Sequence, residues 1–122
     1  MAEKKELPDY QMRQKLLYAE SGTDYSYWGN LYYEHGRYSD ALDFFAQGND
    51  TEGLASIKKI ALRDGDFYLA ARLNKIDASM FSESDWEMLA KKAESLGKLT
   101  FAEWAREKLP AHKLEEEQKQ QD

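Results

Sequence analysis

The chain of 122 residues has no cysteine, and that absence excludes disulfides, thiol nucleophiles and thiolate metal sites. It has no basic excess either: the formal net charge is −6, a poor starting point for gripping a phosphate backbone, so no nucleic-acid partner is expected. No apolar stretch approaches the length needed to span a bilayer, so no membrane insertion is expected. MAEKKELPDY at the N-terminus carries no apolar run, so no signal peptide is read and a cytoplasmic location is expected. There is no Gly-rich phosphate loop and no EF-hand spacing. The two histidines, His35 and His112, lie 77 residues apart with no companion cysteine, whereas zinc usually takes three or four ligands. No catalytic residues, no metal site and no cofactors are therefore expected. Asp40 and Asp43 are a carboxylate pair on one helix, but acid–base work needs a cleft that perturbs them. They read more simply as an exposed acidic face near the positive end of that helix.

What is present is the composition of a folded domain. Apolar residues make up 42% and charged residues 33%, and the aromatic content of 13% argues against disorder. Half of the aromatic residues fall between Tyr25 and Phe45. The length favours one domain with a modest core. Residues 22–50 carry five acidic side chains against Arg37 alone, while residues 51–77 are close to neutral.

The strongest signal is a phrase that recurs three times: GRYSDALDFF from Gly36, GDFYLAARLN from Gly65 and GKLTFAEWAR from Gly97. Two residues after each glycine stand Tyr38, Phe67 and Leu99, and three further on stand Ala41, Ala70 and Ala102. Eight residues before each glycine stand Trp28, Ile57 and Leu89; eleven before stand Tyr25, Leu54 and Trp86. The glycine spacings of 29 and 32 residues lie in the range of stacked helical hairpins.

Apolar periodicity around these phrases predicts seven helices. Residues 1–7 read as flexible. A leading helix is expected over 8–21, with Pro8 in its first turn and a stripe through Met12, Leu16 and Ala19. The first repeat, about 22–50, starts at a Thr23 or Asp24 cap. It places Gly29 on its buried stripe, at roughly 1 kcal/mol against alanine, tolerable if another helix passes close by. Its return helix is expected to start at Ser39 or Asp40. The second repeat, about 51–77, is capped by Asp50 or Thr51. Residues 77–82 read as a short linker. The third repeat, about 82–109, opens on Ser82 and Asp85, which approximate a capping box. Residues 110–122 read as a polar, disordered tail. Connections are short, so neighbouring helices should be antiparallel.

These residues resemble the tetratricopeptide repeat (TPR), or a TPR-like helical-hairpin family. Tyr25, Trp28, Gly29, Tyr32, Gly36, Tyr38, Ala41 and Phe45 follow that family's order and spacing through one full repeat. The second repeat departs from it at Lys58, where a small residue belongs, and at Asn74, where a bulky one belongs. The third departs at Arg106. The resemblance implies an all-α, right-handed superhelical solenoid of three antiparallel helix pairs plus the leading helix. It also implies a concave groove, lined by the first helix of each pair, that holds a peptide or another protein.

Carried over position by position, the resemblance makes Tyr27, Asn30, Tyr33, Lys59, Arg63, Met88 and Lys91 the groove residues. Tyr27 and Tyr33 fall off the buried stripe and should expose ring surface. The amide of Asn30 both donates and accepts. Lys59 and Arg63 share a helix face and could meet a carboxylate. The function expected is a protein-interaction module: an adaptor, a co-chaperone-like protein or a complex subunit. The alternatives are structural self-association as a homo-oligomer, through apolar ends such as Phe101 and Trp104, and, least favoured, a small enzyme.

Overall fold

A computed structural model describes residues 5–19 and 22–111. Residues 1–4 of the expected flexible N-terminus, residues 20 and 21 at the end of the expected leading helix, and residues 112–122 of the expected tail lie outside the described residues. The described residues form seven α-helices and no strand: α1 (Tyr10–Leu17), α2 (Tyr25–Glu34), α3 (Tyr38–Gln47), α4 (Thr51–Asp64), α5 (Phe67–Ile76), α6 (Glu83–Ser95) and α7 (Leu99–Arg106). A single 3₁₀ turn, Ala78–Met80, follows α5. Helices pack in pairs, α2 on α3 and α6 on α7, as in a helical-repeat fold.

The repeated glycines mark three equivalent helix ends. Gly36, Gly65 and Gly97 have φ of +74°, +61° and +76°, a backbone region costly for residues with a Cβ. In each case the next N–H donates back to a carbonyl five residues earlier: Arg37 to Tyr32 at 2.9 Å, Asp66 to Ala61 at 2.9 Å and Lys98 to Ala93 at 2.8 Å. This closing bond satisfies a carbonyl that the helix end would otherwise leave bare. A fourth end uses Asn49, with φ of 51°, where Asp50 N–H donates to Phe45 at 2.9 Å.

The chain divides into two compact units, residues 1–57 and 58–122. In the first unit, α2 and α3 bury Leu31, Tyr32, Ala41, Leu42, Phe44 and Phe45. The Tyr32 ring stacks on Phe44 at 5.4 Å between centroids. The Phe45 ring lies so close to α2 that a Cβ on Gly29 would sit 2.5 Å from it, and a Cβ on Gly53 of α4 would meet the same ring. Gly29 is thus the point of close approach that its place on the stripe suggested, and the ring of Phe45 fills it.

α1 departs from expectation. It begins at Tyr10, because Asp9 caps it by accepting the Met12 N–H at 2.8 Å, so Pro8 lies outside the helix. Met12 is exposed and only Leu17 of this helix is fully buried. The link to α3 is ionic: Arg13 Nε donates to Asp40 Oδ1 at 2.8 Å, and its Nη2 donates to Asp43. Asp40 and Asp43 are therefore the anchor for α1 and not a solvated acidic face. α3 itself begins at Tyr38, one residue before the earliest start expected, and no side chain caps it.

In the second unit, α5 packs on α7 and on the 3₁₀ turn, and α6 packs on α7. Six alanines, Ala61, Ala70, Ala90, Ala93, Ala102 and Ala105, are buried there beside Ile60, Leu69, Leu73 and Leu89. Phe67 gathers Trp86, Phe101 and Trp104 around it at 6.1, 6.5 and 5.6 Å. The expected linker 77–82 holds the 3₁₀ turn and a core residue, since Phe81 is buried and stacks on Trp86 at 4.7 Å. The capping box at Ser82 and Asp85 forms in both directions. α7 ends at Arg106, short of the expected 109, yet Leu109 is still buried.

Candidate functional site

Three of the seven site residues read from the sequence lie on α2, in the first unit. Asp24 caps this helix by accepting the Tyr27 N–H at 3.0 Å, which fixes where the exposed face starts. Tyr27 and Asn30 share that face, but Tyr33, expected to expose its ring as well, lies a further step of about 60° round the helix and turns toward α3. The Tyr27 ring is 39% exposed; its edge meets Trp28 at 5.0 Å and the Lys5 ammonium lies 5.5 Å from its centre. Asn30 is exposed. Tyr33 is half-buried, its ring turned edge-on to Tyr38 at 5.3 Å within the helix pair.

The other four lie in the second unit. Lys59 and Arg63 are exposed on α4. Arg63 presents its fork to the adjacent carboxylate, with Nε donating to Asp64 Oδ1 at 2.7 Å and Nη2 to Oδ2 at 3.0 Å. These hydrogen bonds hold the Asp64 carboxyl below its ordinary value. Met88 and Lys91 lie on α6, and the structure brings these two together. They line a cavity of about 380 Å³ with Leu62, Lys92 and Ser95. Met88 is 53% exposed there, beside half-buried Leu62 and the exposed Lys91 and Lys92.

Leu62 and Lys92 are not among the seven site residues; the sequence reads Leu62 as an apolar position of its helix together with Leu54, Ile57, Ile60 and Ala61. Leu62 falls beside the stripe of Ile60 and Ala61, which leaves its side chain half-buried.

A second cavity, of about 570 Å³, lies wholly in the first unit and contains none of the seven residues. Arg13, Gln14, Tyr32, Arg37 and Asp40 form its polar lining, and Pro8, Tyr10 and Tyr18 its apolar side. Burial tends to lower the Arg13 pKa, but the charges and hydrogen bonds of Asp40 and Asp43 outweigh it, so the guanidinium is held more firmly protonated than usual. Burial pushes the Tyr32 phenol up. Arginine on the leading helix and aspartates at i, i+3 on another helix were the available signals, but nothing local in the sequence pairs them.

Among the described residues, no group of three or more His, Asp or Glu side chains is placed to hold a metal ion. His35 Nε2 lies 2.8 Å from the Lys5 carbonyl oxygen, and His112 is outside the described residues. No described helix is long and apolar enough to cross a membrane. Compared with known proteins, the chain matches no family model, no curated protein and no solved structure.

Proposed function

We propose that the chain is a protein-interaction module of the TPR-like kind, and not an enzyme, serving as an adaptor or complex subunit. Its partner is another protein that offers a segment with an apolar side chain flanked by carboxylates. The observation that carries this reading is the α4–α6 cavity of the second unit, where exposed Met88 and half-buried Leu62 lie beside Lys91 and Lys92. Apolar area in such a cleft supplies affinity, methionine adapts its shape to what it meets, and the lysines select sign. Lys59 adds a third ammonium on the exposed part of α4. Tyr27 and Asn30 on α2 form the other exposed face that a partner could use.

Affinity capture followed by mass spectrometry tests this with three forms of the full chain. A discrete partner retained by wild type and by Tyr27→Ala/Tyr33→Ala, but lost by Lys91→Glu/Lys92→Glu, supports the assignment. Loss with the tyrosine variant instead moves the site to α2. A partner retained by all three forms overturns both.

Self-association is the second reading, favoured by the exposed Leu96 and Leu99 beside Phe101 at the α6–α7 turn. Mass that rises with protein concentration, and stops rising in Leu99→Ser, is its signature.

A further inference from the structure

The α4–α6 cavity of the second unit joins apolar surface to positive charge. Met88 and Leu62 supply the first, Lys91 and Lys92 the second, and Ser95 completes the lining. The carboxylates nearest to these residues in the chain are engaged. Arg63 forks onto Asp64, Arg106 pairs with Glu94, and Glu87 has an interaction of its own. With those two arginines set against Asp64 and Glu94, one carboxylate, Glu87, stands against three lysines, Lys59, Lys91 and Lys92, a surplus of two positive charges. Exposed apolar area beside surplus charge is the surface of the second unit that gains most from being covered.

We propose, resting on the reading of this cavity as the interaction site, that residues 112–122 of the chain itself dock there, so that a partner must displace them. These residues lie outside the described ones, but their chemistry is that of the partner segment: Leu114 is followed at once by Glu115, Glu116 and Glu117. Four carboxylates, the three glutamates and Asp122, stand against two lysines, Lys113 and Lys119, so the segment complements the surplus around the cavity. The point of attachment is within reach. Lys108 Nζ lies 5.9 Å from the centre of the Trp86 ring and Leu109 is buried, so the last described residues lie beside the first turns of α6. Met88 and Lys91 follow Trp86 on the same helix, about 3 and 8 Å along its axis and on its far side, half a circumference of about 16–19 Å away. The chain from Leu109 to Leu114 spans up to about 17 Å and from Leu109 to Glu117 about 27 Å. Extended, it brings the leucine level with Met88 and leaves the carboxylates length to spare for Lys91 and Lys92. Exposed ion pairs are individually weak, but a tethered segment is held at an effective concentration of about millimolar, which offsets that weakness.

The absence of cysteine supplies the handle for the test: Gln118→Cys places a single nitroxide label beside the glutamates of the full chain. Two-dimensional NMR then reads paramagnetic broadening at the Met88 methyl and at the Lys91, Lys92 and Ser95 amides. Broadening centred on these four residues is expected. It should be lost in Lys91→Glu/Lys92→Glu, which changes exposed side chains only, and equally in Glu115→Lys/Glu116→Lys/Glu117→Lys. It should return when the two sets are combined, since the swap restores opposite charge. The amide spectrum of the buried core reports whether each variant is folded. Broadening that centres elsewhere, survives either reversal or fails to return on combination overturns the proposal. Broadening seen only when isotope-labelled and nitroxide-bearing chains are mixed as separate molecules assigns the segment to a second copy and overturns docking within one chain. A synthetic peptide of residues 112–122, titrated into the full chain carrying Glu115→Lys/Glu116→Lys/Glu117→Lys, separates this proposal from the reading it rests on. Saturable shifts at Met88 and Lys91 without broadening from the tethered label overturn the intramolecular docking and leave the cavity as an interaction site. Neither shifts nor broadening overturn both the docking and the partner chemistry assigned to the cavity.

Discussion

The two units repeat one phrase but fill its closest helix contact in different ways. Seven residues before and nine residues after the turn glycine, the first unit has Gly29 and Phe45, and the ring packs where the glycine leaves room. At the same offsets the second unit has Lys58 with Asn74, and Ala90 with Arg106. No ring enters there. Lys58 instead reaches Asp85 at 2.9 Å, and Arg106 pairs with Glu94. Aromatic mass moves to a separate cluster around Phe67. At these positions the second unit thus has the ion pairs of Lys58 and Arg106 where the first has the ring of Phe45. The difference teaches that the turn geometry is the constant of the repeat, while the contents of the helix contact can change.

The turn glycines allow the sharpest break of that comparison, and the largest effect. A Cβ on Gly36 or Gly97 meets nothing within 4 Å, so alanine pays only for the left-handed backbone, about 1–2 kcal/mol. A Cβ on Gly65 would stand 2.7 Å from Ala93 Cα and 2.8 Å from Ala93 N, which are backbone atoms that cannot step aside. Overpacking then adds to the backbone cost, and Gly65→Ala should lose about 3–5 kcal/mol. Urea denaturation of the three alanine variants checks the ranking; equal losses at all three glycines would show that the close approach of Ala93 to Gly65 adds nothing to the cost.

Gly29→Ala probes the ring contact of the first unit. The added methyl meets Phe45 at 2.5 Å, while helix propensity improves, so the net loss should be about 1–2 kcal/mol. Phe45→Leu in the same chain should relieve the clash, so that the double variant loses less than the two single losses combined. Additive losses would show that the ring is not what occupies the space. Removing the ionic anchor by Arg13→Gln should cost about 1–2 kcal/mol, since it leaves Asp40 and Asp43 facing each other without their shared cation, partly buried. Hydrogen exchange should rise first in α1, whose only fully buried residue is Leu17.

The sequence carried the turns, the helix pairs and the small buried residues because each rests on local spacing: a glycine where φ is positive, an alanine five residues on, an apolar stripe between. It did not carry Arg13 with Asp40 and Asp43, since an ion pair 27 and 30 residues apart leaves no periodic trace. Phe81 was lost for a related reason. It stands outside any helix, so periodicity gives it no face, and only tertiary packing on Trp86 makes it core. Of the seven site residues, Tyr27, Asn30, Lys59, Arg63, Met88 and Lys91 are exposed, while Tyr33, expected to expose its ring, is half-buried against Tyr38. That Arg63 would bond its own neighbour Asp64 was not legible, because the pairing depends on rotamer and not on register.

The smallest effect separates the units by pH. Asp85 belongs to the second unit only and joins its ion pair to its capping box. Burial alone would raise its pKa, but hydrogen bonds from the Ser82 N–H, Lys58 and the Ser82 hydroxyl outweigh it and hold the carboxyl below the ordinary 3.8. A group depressed in the folded state contributes fully above its unfolded pKa and loses that contribution as pH falls through the folded value. The second unit should therefore begin to weaken near the ordinary aspartate range, with the loss complete only below it. Asp85→Asn removes the titration and should flatten this part of the acid profile, at a cost near neutral pH of about 1 kcal/mol for the weakened cap and lost ion pair. Hydrogen exchange of α6 measured from neutral to acid pH reads the effect within one unit. An acid profile of α6 that is the same in wild type and Asp85→Asn would show that the pair with Lys58 contributes nothing to the second unit, leaving its small-residue core and aromatic cluster to account for its stability.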